Sequence, residues 1–188
     1  TRERQPKPAL AAVAKAFREV PFSSKLAWPR ISVVVCSYNG EATIGETLST
    51  LNRLNYPDYE VIVIDDGSTD ETPAIAQASG AKLIRTENKG LSHARNLGLQ
   101  AATGSIIAYI DDDAYPDPDW LSFLAFTFMN SEHAGVGGPN FAPAGDGLVA
   151  DGVAQAPGGP VHVLLSDDVA EHVPGCNMAY RVDRLWAV

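Results

Sequence analysis

The chain has 188 residues, of which 45% are hydrophobic and 20% are charged, and its formal net charge is −9. This length is enough for one domain with its own hydrophobic core, and the composition is that of an ordinary globular domain. The acidic balance argues against general nucleic-acid binding, which needs a basic face. No apolar stretch approaches the ~20 residues that a membrane-spanning helix needs.

The first 29 residues are predicted to form a separate N-terminal region. The segment "PALAAVAKAFREV" at 8–20 has helical apolar spacing, and Pro8 suits a first helical turn. A linker follows it, and residues 30–188 are predicted to form one domain. Because "RVDRLWAV" at the end looks cut within an element, we expect this domain to be truncated at its C-terminal end.

From Arg30 onward, strand and helix patterns alternate. β-branched runs without polar interruption, such as "ISVVVCS" at 31–37, are typical of strands buried on both faces. The motif "SxxE" at Ser68–Glu71 predicts a capping box at the start of the second helix. The pattern predicts an α/β fold with an open, mostly parallel sheet and helices on both faces. The strands are expected at 31–37, 59–66, 81–86, 105–111 and 133–140, and the helices at 41–54, 68–79, 91–102 and 118–130.

Polar side chains follow three of these strands, at the point where each strand ends. They are "SYN" at 37–39, "DD" at 65–66 and "DDD" at 111–113. In open α/β sheets, ligands bind beyond the carboxyl ends of the strands. The three clusters are therefore expected to converge on one crevice.

The "DDD" run is the strongest candidate for a metal site. Residues i and i+2 of an extended chain point to the same side, so Asp111 and Asp113 should face one cleft while Asp112 faces elsewhere. Carboxylates are hard oxygen ligands suited to Mg²⁺ or Mn²⁺. An EF-hand is excluded, because Pro116 and Ser122 stand where glycine and glutamate are needed. The alternative is a solvated acidic turn, with Asp117 or Asp119 starting the next helix.

Other candidates have equally simple structural alternatives. Asp66 either shapes a turn or accepts a hydrogen bond from the ring N–H of a base. Arg95, with Lys89 and His93 nearby, is either a surface arginine or a cation that holds a diphosphate or braces a carboxylate. His172 is interpreted as structural.

Two further side-chain types give no metal or disulfide signal. His162 and His172 lack zinc-ligand spacing. Cys36 and Cys176 have neither metal spacing nor a disulfide framework, so they are predicted to be reduced thiols.

Three segments together carry a family resemblance over about Arg30 to Arg181. They are "ISVVVCSYNGEATIGETLSTLNRLNYPDYEVIVIDDGSTDET", "ENKGLSHARNLGLQAATGSIIAYIDDDAYPDPDWL" and "GCNMAYR". In order and spacing they resemble family 2 glycosyltransferases with the GT-A fold. The resemblance implies a metal-dependent, inverting enzyme that transfers sugar from a nucleotide-sugar, commonly a UDP-sugar, to a hydroxyl of a saccharide or lipid-linked acceptor.

The resemblance also implies roles for particular residues. Asp66 would contact the base, and Asp111 and Asp113, as the DxD element, would hold Mn²⁺ or Mg²⁺ that bridges the donor diphosphate. The nucleotide pocket would comprise Cys36, Ser37, Tyr38, Asn39, Glu41, Asp66, Lys89, Arg95, Asp111 and Asp112.

The catalytic base is expected beyond Val188. Asp167, Asp168 and Glu171 precede the family's matching position and are not assigned as the base. A cytoplasmic location is expected, or a peripheral one at the inner face of a membrane, and the whole protein's membrane association is left open.

Three other kinds of protein share some of these sequence features. A phosphoacceptor receiver domain also uses strand-end aspartates and Mg²⁺, but it needs a late lysine, and none follows Lys89. A sugar-nucleotidyltransferase needs a basic, glycine-rich loop after the first strand, which "CSYNGEA" is not. A non-catalytic nucleotide-binding module stays open.

Overall fold

The computed structural model describes residues 22, 26–141, 147, 152, 173 and 175–187. The predicted N-terminal helix at 8–20 lies outside these residues, as do His162, Asp167, Asp168, Glu171 and His172. None of the helices in this part of the chain is long and apolar enough to cross a membrane.

Strands and helices alternate along the described chain, as predicted. The strands are β1 (Ile31–Ser37), β2 (Tyr59–Asp65), β3 (Lys82–Arg85), β4 (Ile106–Asp111), β5 (Gly135–Gly137) and β6 (Met178–Arg181). The helices are α1 (Ile44–Leu51), α2 (Thr72–Ala78), α3 (Leu91–Ala101), α4 (Trp120–Met129) and α5 (Val182–Leu185).

The strands form one sheet in the order β3-β2-β1-β4-β6-β5. Strands β1 to β4 are parallel, whereas β6 is antiparallel to both β4 and β5. This confirms the open, mostly parallel sheet. It contradicts the receiver-domain alternative, because receiver domains have the order 2-1-3-4-5 and a different strand next to β1.

Apolar side chains cover both faces of the sheet, as the β-branched strands predicted. Val33 and Val35 of β1 pack in one core with residues of α1, α2 and α4, whereas Val34 packs in a second core with Ala94 of α3. Successive strand residues point to opposite faces, so the "VVV" run supplies both cores. The predicted helices on both faces are therefore present.

The register of the central strands brings the polar strand ends together. Ser37 pairs with Asp65 across β1 and β2, and Cys36 pairs with Asp111 across β1 and β4. The expected convergence at the carboxyl edge of the sheet is thus observed.

The predicted capping box at Ser68–Glu71 is wrong. Helix α2 begins at Thr72, and Glu71 occupies its N-cap position without a capping hydrogen bond from its side chain. The Ser68 hydroxyl instead accepts a hydrogen bond from the Asn39 backbone N–H at 2.9 Å. Ser68 therefore joins two loops instead of capping a helix, because the β1 loop lies within hydrogen-bond distance of its hydroxyl.

Candidate functional site

The loop after β1 is held by side chains of the segment from Ser68 to Thr72, which precedes α2 and includes its first residue. Three successive backbone N–H groups of this loop donate to that segment: Asn39 to Ser68 Oγ at 2.9 Å, Gly40 to Thr72 Oγ1 at 2.8 Å, and Glu41 to Asp70 Oδ2 at 3.1 Å. This loop-to-loop clamp supports one wall of the crevice, and sequence reasoning missed it.

Side chains of the same β1 loop return hydrogen bonds to the opposite loop. Asn39 has a left-handed backbone with φ 53°, and its Oδ1 accepts from the Thr69 N–H at 2.9 Å. Glu41 Oε2 accepts from the Glu71 N–H at 3.0 Å. Tyr38 is 51% exposed at the surface of this loop.

Asp65 and Asp66 at the end of β2 are both buried and both hydrogen-bonded. Asp65 Oδ2 accepts from Arg85 Nε at 2.8 Å, while Asp66 accepts from the backbone N–H groups of Lys89 at 3.0 Å and Gly90 at 2.8 Å. Asp66 therefore holds the segment that leads into α3. A carboxylate has about four lone-pair sites, so base contact by Asp66 stays a prediction.

The "DDD" run divides its side chains as predicted, but for a different reason. Strand β4 ends at Asp111, and Asp112 and Asp113 form a turn, so the extended-chain rationale is wrong. Asp112 accepts a hydrogen bond from the Ser37 hydroxyl, and its backbone carbonyl accepts from Thr47 Oγ1 at 2.9 Å. Asp111 and Asp113 both line a cavity of about 900 Å³.

The electrostatics of this turn favour a bound cation. Burial raises the pKa of Asp111, the charge of Arg95 opposes that shift, and the charges of Asp113 and Asp112 raise the pKa further. Burial also raises the pKa of Asp112, where the hydrogen bond from Ser37 opposes it. The three carboxylates repel one another, and a divalent ion would relieve that repulsion.

Asp111 and Asp113 fit an open divalent-cation site. Their carboxylate oxygens are the ligands that Mg²⁺ and Mn²⁺ prefer. Within the described residues, no group of three or more histidine, cysteine, aspartate or glutamate side chains is placed so that it could hold a metal ion. Two carboxylates are sufficient where substrate phosphates complete the coordination, as is usual for Mg²⁺.

The side chain of Arg95 is partly exposed, and its role in holding a diphosphate or bracing a carboxylate stays a prediction. Its guanidinium lies 3.9 Å from Asp111 Oδ1 and donates to the Gly175 carbonyl at 3.4 Å. The Tyr109 hydroxyl donates to the Arg95 carbonyl at 3.1 Å, and the guanidinium lies 6.0 Å from the Tyr109 ring centroid. Arg95 therefore links α3, β4 and the turn before β6.

Lys89 and His93, the other basic residues near Arg95, have no side-chain hydrogen bond or ion pair with the aspartates described above. The ammonium of Lys89 lies 3.6 Å from Glu87 in an exposed pair, and only the Lys89 backbone contacts Asp66. His93 is partly buried.

Both cysteines are free thiols, as predicted. Burial raises the pKa of Cys36 to about 12; the charge of Arg95 opposes the shift, and those of Asp111, Asp66 and Asp112 add to it. Cys36 is therefore neutral near pH 7 and adds no negative charge to the site.

The far wall of the cavity contains hydrogen bonds that sequence reasoning did not predict. Trp120 Nε1 donates to Asn177 Oδ1 at 2.8 Å, and Asn177 Nδ2 donates to the Pro139 carbonyl at 3.3 Å. These partners are 57 and 38 residues apart along the chain, so no local pattern could have paired them.

The family model described as Glycosyl transferase family 2 matches residues 32–187. Among curated relatives, the glucosyl-dolichyl phosphate glucuronosyltransferase of Haloferax volcanii is 31% identical over 135 residues, which cover 68% of this chain and 41% of that protein. The poly(ribitol-phosphate) β-N-acetylglucosaminyltransferase TarS of Staphylococcus aureus is 33% identical over 115 residues, which cover 57% of this chain and 20% of TarS. The chain thus spans less than half the length of either relative.

Solved structures of glycosyltransferases share the fold. The mannosyltransferase PcManGT of Pyrobaculum calidifontis, in complex with GDP-Man and Mn²⁺, matches with a TM-score of 0.65 and 26% identity over 94% of this chain and 53% of that one. S. aureus TarS residues 1–349, in complex with UDP-GlcNAc, match with a TM-score of 0.66 and 22% identity over 84% of this chain and 47% of that one.

Proposed function

Since the chain belongs to glycosyl transferase family 2, we propose that it is the donor-binding part of a glycosyltransferase that moves a sugar from a UDP-sugar to an acceptor hydroxyl. The transfer is proposed to be metal-dependent and to invert the anomeric centre. One observation carries this proposal: the ends of β1, β2 and β4 meet at one edge of the sheet, where the Asp66 N–H donates to the Ser37 carbonyl and where Asp111 and Asp113 line a cavity.

The cation explains how this acidic edge accepts a diphosphate. Carboxylates alone would repel the donor, whereas Asp111 and Asp113 can hold Mn²⁺ or Mg²⁺ between themselves and the phosphates. When bound, the ion supplies Lewis-acid stabilisation of the leaving nucleoside diphosphate. The presence of Mn²⁺ together with GDP-Man in the PcManGT complex supports this assignment.

The chain's own residues position the donor around that ion. The clamp on Asn39, Gly40 and Glu41 fixes the β1 loop as the nucleotide wall, and Asp66 is proposed to accept from the base. Arg95 orients Asp111 and adds one positive charge beside the diphosphate. The neutral Cys36 thiol avoids further repulsion.

The acceptor is proposed to be a hydroxyl compound. A hydroxyl of a saccharide or a lipid-linked molecule would attack the donor sugar in one displacement, with a carboxylate as general base. No residue is assigned as that base. A site facing the cytoplasm, with or without association of the whole protein with a membrane, is proposed from the family resemblance.

Calorimetric titration of the chain with UDP, first with Mn²⁺ and then with excess chelator, tests this proposal. We expect UDP to bind with Mn²⁺ and to lose at least tenfold in affinity with chelator, because the diphosphate then faces bare carboxylates. GDP and ADP test the base: GDP, the nucleotide of the donor bound to PcManGT, should bind more weakly than UDP. Tighter binding of GDP would overturn the uracil assignment and leave the transferase proposal intact.

The metal assignment is tested by Asp113→Asn in the same titration. This variant removes one ligand charge and should lower Mn²⁺-dependent UDP affinity by at least tenfold. Asp183→Asn makes the same chemical change on the exposed α5 helix and should leave affinity unchanged. Unchanged UDP affinity in Asp113→Asn would refute the metal site.

A further inference from the structure

We propose that the cavity beside Asp111 and Asp113 binds an acceptor that carries an apolar chain next to its reactive hydroxyl. This inference rests on the proposed function, since it names the acceptor class for the same site. The inference is drawn from the side chains that line the cavity.

The wall is predominantly aromatic and aliphatic. It includes Trp120, Phe123, Leu124, Val136, Pro139 and Phe141. Trp120 and Leu124 are buried, whereas Phe123 is 52% exposed and Phe141 is 70% exposed. Burial of large aromatic surface is the main source of affinity in such cavities, so exposed rings at a mouth favour an apolar ligand.

Most polar groups of the wall bond to the protein itself. Trp120 Nε1 and both polar atoms of the Asn177 side chain are engaged within the wall. The Thr127 hydroxyl donates to the Phe123 carbonyl at 3.0 Å, and the Tyr115 hydroxyl donates to Glu46 at 3.1 Å. A saccharide needs many hydrogen-bond partners to replace its water, and these residues have little to offer it.

Two kinds of polar group in the cavity remain available to a ligand: the aspartate carboxylates and the side-chain amide of Asn140. The carboxylates of Asp111, Asp113 and Asp117 lie on the segment between β4 and α4. Asn140 Nδ2 is buried in the wall and has no hydrogen-bond partner among the described residues, where it is the sole side-chain atom of this kind. An unpaired buried donor is costly, so it points to an oxygen atom of a ligand.

The occupant that satisfies these features is an amphiphile. Its hydroxyl-bearing head lies next to the proposed metal and donor site, with one oxygen on Asn140 Nδ2, and its chain lies over Trp120, Leu124 and Phe123. A purely polar oligosaccharide would leave the aromatic mouth exposed to water. A purely apolar ligand would leave Asn140 unpaired.

Titration calorimetry with hexyl, octyl and decyl β-D-glucopyranoside, each below its critical micelle concentration, tests this inference. Affinity should rise by about two- to fourfold for each added methylene that enters the cavity. Phe123→Ser should weaken octyl glucoside binding by about fivefold. Asn140→Leu should weaken all three glucosides by a similar factor, because it removes the partner of the head and leaves the chain contacts.

Phe126→Ser is the matched control. Phe126 lies on the same helix, is 41% exposed and packs against Phe22 at 4.9 Å, as Phe123 does at 5.0 Å, but it does not line the cavity. We expect its octyl glucoside affinity to match that of the unmodified chain. Equal losses in both phenylalanine variants would indicate a general apolar surface and overturn the inference.

Two further outcomes separate this inference from the proposed function. Maltotriose that binds as tightly as decyl glucoside would overturn the inference, while Mn²⁺-dependent UDP binding to the same sample would leave the transferase proposal standing. Chain-length-dependent binding without any nucleotide binding would support the cavity assignment and count against the donor site.

Discussion

Two adjacent aspartates at the end of β2 use their carboxylates for different partners. Asp65 is fully buried and pairs with Arg85, so it joins β2 to β3. Asp66 accepts backbone N–H groups on both oxygens, so it fixes where α3 begins. At the scale of single residues, a carboxylate proposed to contact a ligand is thus also part of the scaffold.

Asp66→Asn tests the structural role of Asp66. The amide has one acceptor oxygen, and its NH₂ would face a backbone N–H of Lys89 or Gly90. We expect a loss of about 1–3 kcal/mol in the free energy of unfolding, measured by urea denaturation. Weaker UDP binding with a smaller preference over GDP should accompany it. A variant as stable as the unmodified chain would show that the two hydrogen bonds contribute nothing net.

At the scale of elements, the β1 loop likewise combines a proposed ligand contact with a structural role. The β1 loop is proposed to form one wall of the nucleotide pocket, and the clamp from the segment Ser68 to Thr72 orders it. Ordering such a loop before the ligand arrives reduces the entropy lost on binding. The polar residues around Ser68 therefore act between elements rather than at one helix end.

Ser68→Ala and Glu71→Ala distinguish the clamp from a capping box. Ser68→Ala removes the acceptor for the Asn39 N–H, so it should lower the free energy of unfolding by about 1 kcal/mol. Glu71→Ala should change it by less than about 0.5 kcal/mol, as for most surface substitutions. Urea denaturation of both variants measures this. Equal destabilisation would favour a capping box in solution.

At the scale of the whole molecule, the carboxyl and amino edges of the sheet carry different kinds of polar group. The carboxyl edge gathers the candidate ligand-binding groups, whereas the amino edge carries a network that joins strands. There, one oxygen of Glu60 accepts from Ser32 Oγ at 2.7 Å, from the Thr103 N–H at 2.8 Å and from Thr103 Oγ1 at 2.6 Å. Partial burial opposes ionisation of Glu60, but the hydrogen bonds from Thr103 and Ser32 prevail and lower its pKa.

This network predicts an acid-sensitive contribution to stability. Because the folded-state pKa of Glu60 is lowered, its contribution is present above the ordinary glutamate pKa and is lost as pH falls through the folded-state value. Glu60→Gln should therefore show a shallower loss of stability in urea denaturation between about pH 6 and pH 3. UDP affinity at neutral pH should stay unchanged, since the variant lies at the opposite edge. The same loss of stability at acid pH in Glu60→Gln and in the unmodified chain would contradict this role of Glu60.

The sequence by itself determined the class of fold and the edge of the sheet at which the candidate site residues lie. Uninterrupted β-branched runs, regular alternation with amphipathic segments, and polar groups after three strands are local patterns. They report burial and strand direction without reference to distant residues. They were sufficient to predict the mostly parallel sheet and to locate Asp111 and Asp113 at its carboxyl edge.

Only the tertiary structure decided which partners these residues have. Arg95 contacts Gly175 across 80 positions, and Ser68 meets Asn39 across 29. The turn after Asp111, rather than an extended strand, separates Asp112 from its neighbours. Such pairings depend on strand order and register, which bring together groups that no local periodicity relates. The cavity wall of Trp120, Asn140 and Asn177 therefore became visible only when the chain was folded.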